Sequence, residues 1–243
     1  MPKRSSKAAE NPRRGWRENL REFVIVVAGV FVALVAQQAV DAWNWHRKVV
    51  AAEAAMRGEL LDDDGPQIYQ RAAMHRCVLA QLDRIRAAVE GGGDRAQIGQ
   101  TIDGYWVDVR TYDELALDAA NASDIASHVS QDQLRHFFIP YEAMPLLEQT
   151  NADEGAQMAR MRAFRRSGGP VSDAEKDRVV EAVETLRNDE NVIWGRALIK
   201  LPELQFVGPL NRKRVRAFLA DARAHYGDCV MPLPADSATG EVR

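Results

Sequence analysis

Four side chains recur at a spacing that could hold a metal. Asp124, His128, Asp132 and His136 stand every four residues. On one helix they would offer carboxylate oxygens and imidazole nitrogens to a divalent transition metal. Three features weaken that reading. Each step of four drifts about 40° around a helix. Ser130 and Gln133 have the spacing of a capping box, which would start a new helix between the two pairs. Asp and His four residues apart are also an ordinary surface pair. No metal centre is therefore expected, and these four are its only candidates. The remaining signatures point the same way. The chain has no GxGxxG, Walker A, HExxH, CxxC or GxSxG pattern. Gly91–Gly93 and Gly168-Gly169 lack the strand-before, helix-after setting of a phosphate cradle. Asp62-Asp63-Asp64-Gly65 shares the acidity of a calcium loop but not its ligand spacing, and reads as the end of a helix. Asn121-Ala122-Ser123 matches a glycosylation sequon by chance. No catalytic residue and no cofactor are expected.

The elements that would carry any site divide unevenly. The 243 residues are 46% hydrophobic and 28% charged, with a mean hydropathy of −0.35. Those averages exclude collagen-like, disordered, small disulfide-scaffold and multi-span membrane classes. They do not exclude one span. Residues 1–21 hold seven basic side chains against two acidic ones, a net of +5, so the other 222 residues carry −8. The run from Phe23 to Ala36 contains neither a charge nor a strongly polar group. Fourteen residues reach only about 21 Å, but extension to Ala42 gives the roughly 30 Å of a hydrocarbon core. Trp43 and Trp45 follow as an interfacial belt, with Trp16 at the other end. A transmembrane helix is thus expected over 22–42. A cleaved signal peptide fits less well, because Val40-Asp41-Ala42 is a poor cleavage site and the helical pattern runs on past it.

The excess of Lys and Arg before the span keeps arm 1–21 in the cytoplasm and sends residues 43 onward out. Arg usage far above Lys suggests a GC-rich bacterium, so the outside would be the periplasm and the bilayer the inner membrane. The arm is expected on anionic headgroups rather than on nucleic acid. Within the span, Gly29, Ala33, Ala36 and Gln37 share one face. Small residues and an amide there would let the helix associate with a second copy or another membrane protein.

Beyond the span the pattern is helical throughout, so the fold expected is all-α, a bundle continuing from the anchor. Helix-forming sequence runs to Leu61 and stops at Asp62–Pro66. Met74, Val78, Leu82, Ile85 and Val89 then form an apolar stripe closed by Gly91–Gly93. Residues 94–110 read as irregular, with Trp106, Val107 and Val109 packing. Helices follow near 111–128 and 131–166, the latter interrupted by Pro140 and Pro145. Another is capped at Ser172-x-x-Glu175, and the last spans about 209–226. The domain would occupy 43–231, and residues 232–243 have the composition of disorder. Cys77 and Cys229 lie at opposite ends of this domain. In an oxidising periplasm they suggest a disulfide, worth roughly 4–5 kcal/mol on the loop-entropy argument. Two unrelated buried thiols are the alternative.

The stretch Arg21-Glu22-Phe23-Val24-Ile25-Val26-Val27-Ala28-Gly29-Val30, continuing to Ala33-Leu34 and Gln37-Gln38, resembles the N-terminus of an uncharacterised family of bacterial single-pass inner-membrane proteins. The likeness extends to Ala51–Leu61, to Thr111-Tyr112-Asp113-Glu114-Leu115 and to the two cysteines. It implies an N-terminal anchor and a helical periplasmic domain, and no activity. The function expected is therefore a non-enzymatic binding or scaffolding component of the cell envelope. The alternative is an accessory sensor-like domain that binds a small ligand or metal. Twenty-one cytoplasmic residues leave no room for a signalling output.

Overall fold

The computed structural model describes residues 12–108, 111–166 and 168–233. Most of the basic arm, Val109 and most of the tail 232–243 lie outside them. The chain divides into two units, Met1–Val50 and Ala51–Arg243.

The first unit is built on α1 (Pro12–Gly58). Proline suits the first turn because its missing N–H has no intrahelical partner there. Seven of the fourteen residues from Phe23 to Ala36 are Val or Ile, which are mediocre helix formers in water. Their side chains are nevertheless exposed along the whole run. Each large apolar side chain left in water forfeits about 1.5–3 kcal/mol. In lipid that cost vanishes, and the helix satisfies every backbone group internally. Among the described residues α1 carries the one helix long and apolar enough to cross a membrane, with a mean hydropathy of 2.4 over its best 18-residue window.

The second unit opens with a departure from expectation. The chain does not stop at Asp62–Pro66. It widens into a π-helical turn, Glu59–Asp64, and continues as α2 (Gly65–Glu90). Pro66 explains the turn. In a regular helix its ring would press on the carbonyl four residues back and its N–H would be missing from the ladder. The wider turn accommodates both, and the Gly65 N–H donates to the Leu60 carbonyl instead. Glycine is required at this position, since a Cβ would lie 2.7 Å from that carbonyl oxygen and against Leu210.

A second correction concerns residues 94–110. Arg95–Asp103 form a helix, α3, opened by a capping box between Asp94 and Gln97. After the turn at Gly104, the described residues 105–108 are irregular, with Tyr105 and Val107 buried and Trp106 packed against the core. The helix expected near 111–128 divides into α4 (Leu115–Ala122) and a 3-10 turn (Ile125–His128), because Asp124 between them is left-handed at φ 58°. The one expected over 131–166 divides into α5 (Gln131–Tyr141) and α6 (Met144–Arg166). Pro145 falls in the first turn of α6. Ser172 caps α7 (Asp173–Val207) through the expected box. Asn211 caps α8 (Arg212–Tyr226), which ends at Gly227 with φ 63°, a conformation that glycine adopts without strain.

The core is centred on α2, which packs on α7, α8 and α3, while α6 lies along α7. The apolar stripe from Met74 to Val89 is at most 3% exposed. Cys77 and Cys229 meet as a disulfide with Cα atoms 5.7 Å apart, inside the range such a bond allows. Beside it the Met231 N–H donates to the Ala73 carbonyl. The described residues contain no strand, and the all-α expectation holds.

Candidate functional site

From Asp64 to His75 every residue is buried, whichever side of α2 it occupies. The segment is far from apolar, since it includes Gln67, Gln70, Arg71 and His75. Buried polar groups need partners, and three other helices supply them for Gln70, Arg71 and His75, whereas Gln67 Oε1 finds none among the described residues. Gln70 donates to the Phe218 carbonyl of α8 at 2.9 Å. Arg71 forms a bidentate pair with Glu154 of α6, at 2.8 and 2.7 Å, and reaches Glu190 of α7 at 2.5 Å. The other oxygen of Glu190 lies 3.1 Å from His75 Nδ1. The His75 ring stacks on Trp194, with centroids 4.6 Å apart. Both carboxylates are fully buried and Arg71 is 2% exposed, so the centre lies in the interior with Trp194 over one end.

Each charged residue stands where its helix should present an apolar side chain. Arg71 precedes Met74 and Val78 on the stripe of α2. Glu154 lies between Leu147 and Met158 on α6, and Glu190 between Leu186 and Ile193 on α7. That conflict with periodicity is a signal in the sequence, and reading the apolar positions alone misses it. Burial works against the Arg71 charge, but Glu154 and Glu190 outweigh it and hold the guanidinium more firmly protonated than in water. Burial raises the Glu154 carboxyl above its usual range; Arg71 draws it back and Glu190 pushes it further up. Arg71 Nε and the Tyr105 hydroxyl are also buried and find no hydrogen-bond partner among the described residues. Apart from those two atoms the charged groups of this centre are directed at one another, an arrangement suited to fixing helices in register rather than to turning over a substrate.

A second polar group surrounds the π turn. Glu59 accepts from the Ala116 N–H at 2.9 Å. Burial raises its carboxyl despite that bond. Burial, and then the Glu59 charge, push Asp64 up to about 8, against the opposing effect of the Asp113 N–H. Asp64 is therefore neutral at moderate pH.

The residues singled out by spacing are placed as follows. Asp124 precedes the 3-10 turn and His128 is its last residue, whereas Asp132 and His136 lie on α5 beyond the Ser130 box. The four do not share a helix, and no group of three or more metal-ligating side chains assembles among the described residues. Gly29, Ala33, Ala36 and Gln37 are exposed on α1, and open space surrounds Gly29. Trp16 and Trp43 are exposed and Trp45 half-buried. Arg47 lies over Trp43 and Lys48 over Trp45, at 5.1 and 4.3 Å from the ring centroids. A surface hollow of about 390 Å³ runs between α6 and α7, lined by Arg160, Phe164, Glu175 and Arg178, apart from the ionic centre.

These features define a class: an all-α protein with one exposed apolar helix and a disulfide-closed helical domain built around buried charges. Comparison with protein-family models, curated proteins and solved structures finds no match to this chain.

Proposed function

We propose that the protein is a membrane-anchored helical module that works by binding other components of the bacterial envelope. Residues 22–42 cross the inner membrane, the basic arm faces the cytoplasm, and the domain from residue 43 onward is periplasmic. The observation that carries this reading is the uncharged run Phe23–Ala36, exposed on every side of α1. A disulfide belongs to an oxidising compartment, so Cys77–Cys229 supports the outward placement of the domain. The ionic centre supports binding over catalysis, because its charges are engaged with one another beneath the surface. Lipid is the first partner, and the face of Gly29, Ala33, Ala36 and Gln37 offers contact to a neighbouring span.

The test uses the full chain in bacterial membranes. The protein should stay in the pellet after alkaline carbonate extraction. An alkaline phosphatase fused after residue 233 should be active, as that enzyme folds only outside the cytoplasm. Release by carbonate, or an inactive fusion beside an active cytoplasmic reporter, would sink the anchor or the orientation respectively.

A further inference from the structure

The two halves of α7 differ in what they show to solvent. From Asp173 to Arg187 charges occur all round the helix. From Asn191 to Phe206, at 100° per residue, the outward arc carries none. That arc holds Trp194, Gly195, Leu198, Ile199, Pro202 and Phe206, with the uncharged Asn191 and Gln205 exposed among them. Its large side chains are 37%, 42%, 52% and 76% exposed for Trp194, Leu198, Ile199 and Phe206. They amount to on the order of 400 Å² of apolar surface, the size of the largest patch on a typical monomer, which is often functional. Nothing lies within 4 Å of where a Cβ on Gly195 would be, so a second helix could approach closely there.

We infer that this face of α7 docks onto the same face of a second copy, with the two helices antiparallel. This deepens the proposed binding role, on which it rests, by naming the partner. Three observations favour a second copy. In a twofold interface each patch meets itself, so a charged face would repel its copy, and this face is uncharged. Placing the twofold between residues 198 and 199 sets Leu198 against the partner's Ile199, and small Gly195 against the partner's Pro202. The rim charges also match. Arg196 and Glu203 project to the same flank. Arg196 is exposed, while Glu203 holds Lys200 of its own helix at 2.7 Å through Oε2, which leaves Oε1 for a second cation. Glu203 is seven residues along its own helix from Arg196, about 10 Å away. Antiparallel pairing brings the partner's Glu203 to within about 3 Å of Arg196 along the axis. A lipid-facing helix would instead carry a basic rim, whereas this flank carries one Arg and one Glu.

The two patches together supply on the order of 800 Å² of apolar surface against about 1,600 Å² for a standard interface. The contact is therefore weak for free molecules and effective between copies confined to one membrane, where the local concentration is raised.

The experiment places a photoreactive p-benzoylphenylalanine at Leu198, and in a control at Glu181, in the full chain in native membranes. Irradiation should give a species at twice the 27.1 kDa mass from position 198 and not from 181. Arg196→Glu should lower its yield at least threefold, and adding Glu203→Arg should restore it. Formation of the Cys77–Cys229 bond on non-reducing gels checks that each variant folds. Adducts only with lipid or with a protein of another mass, equal yields from both positions, or no restoration by the paired swap would overturn the inference. Carbonate extraction of the same membranes separates the two readings. Retention without the dimer species defeats the docking alone, and release defeats the anchor whatever the crosslinking shows.

Discussion

Removing the Arg71 guanidinium would leave Glu154 and Glu190 together in the interior with no cation between them. Breaking a buried pair from one side typically costs about 3–5 kcal/mol, because the remaining charge is uncompensated. Arg71→Met should therefore destabilise the domain by that order, seen as a lower urea midpoint in detergent by tryptophan fluorescence. Adding Glu154→Gln should recover part of the loss, since one of the two stranded charges is then gone. An Arg71→Met protein as stable as the parent would refute the account. At this scale the sequence was half legible. A charge on an apolar stripe can be recognised in all three helices. Which charges meet cannot, because Arg71 lies 83 residues from Glu154 and 119 from Glu190, and periodicity describes one helix at a time.

At the scale of elements, the π turn makes a pH prediction. Asp64 titrates at about 8 in the fold against 3.8 in an unfolded chain. The folded state binds its proton more tightly, so the associated stability is complete below about pH 4. It declines as pH rises and is lost above about pH 8. Glu59, also raised, contributes in the same direction. Asp64→Asn keeps the shape without the titration. It should flatten thermal stability between pH 4 and 8, leaving the parent the less stable of the two at pH 8. Identical profiles would contradict the assignment. The same turn shows why element ends were the least readable feature. Three aspartates before Gly-Pro have the composition of a terminator, and what overrides it is tertiary. Asp64 is buried, which raises its carboxyl, and Gly65 is pressed against Leu60 and Leu210. α3 was hidden differently. The Asp94–Gln97 box is present in the sequence, but three glycines before it and a helix burying only Ile98, Gly99 and Ile102 leave little period to detect.

For the whole molecule, the disulfide closes a loop across 152 positions and ties the middle of α2 to the residues after α8. Loops of that length are the ones whose closure removes most entropy from the unfolded chain. Paired Cys77→Ser and Cys229→Ser replacements should lower stability by about 2–5 kcal/mol, read as a drop in Tm on the full chain in detergent. The parent should also migrate faster on non-reducing than on reducing gels. An unchanged Tm would mean that packing of α8 on α2 alone holds that end. The helical class and the unequal distribution of charge were readable from composition and order. The central place of α2 was not, because its first half is polar and its burial is conferred by α6, α7 and α8.

That arrangement also sets a timetable for synthesis. Ribosomes extend chains at about 5–20 residues per second. Glu190 is 119 residues after Arg71, so it emerges about 6–24 s later. Glu154 comes first, 83 residues after Arg71, so until Glu190 follows the charges that enclose Arg71 are incomplete, and Cys77 waits longer still for Cys229. Ribosome-nascent chains ending before α7 would therefore expose an unfinished α2, whose longest packing partner is still to be made.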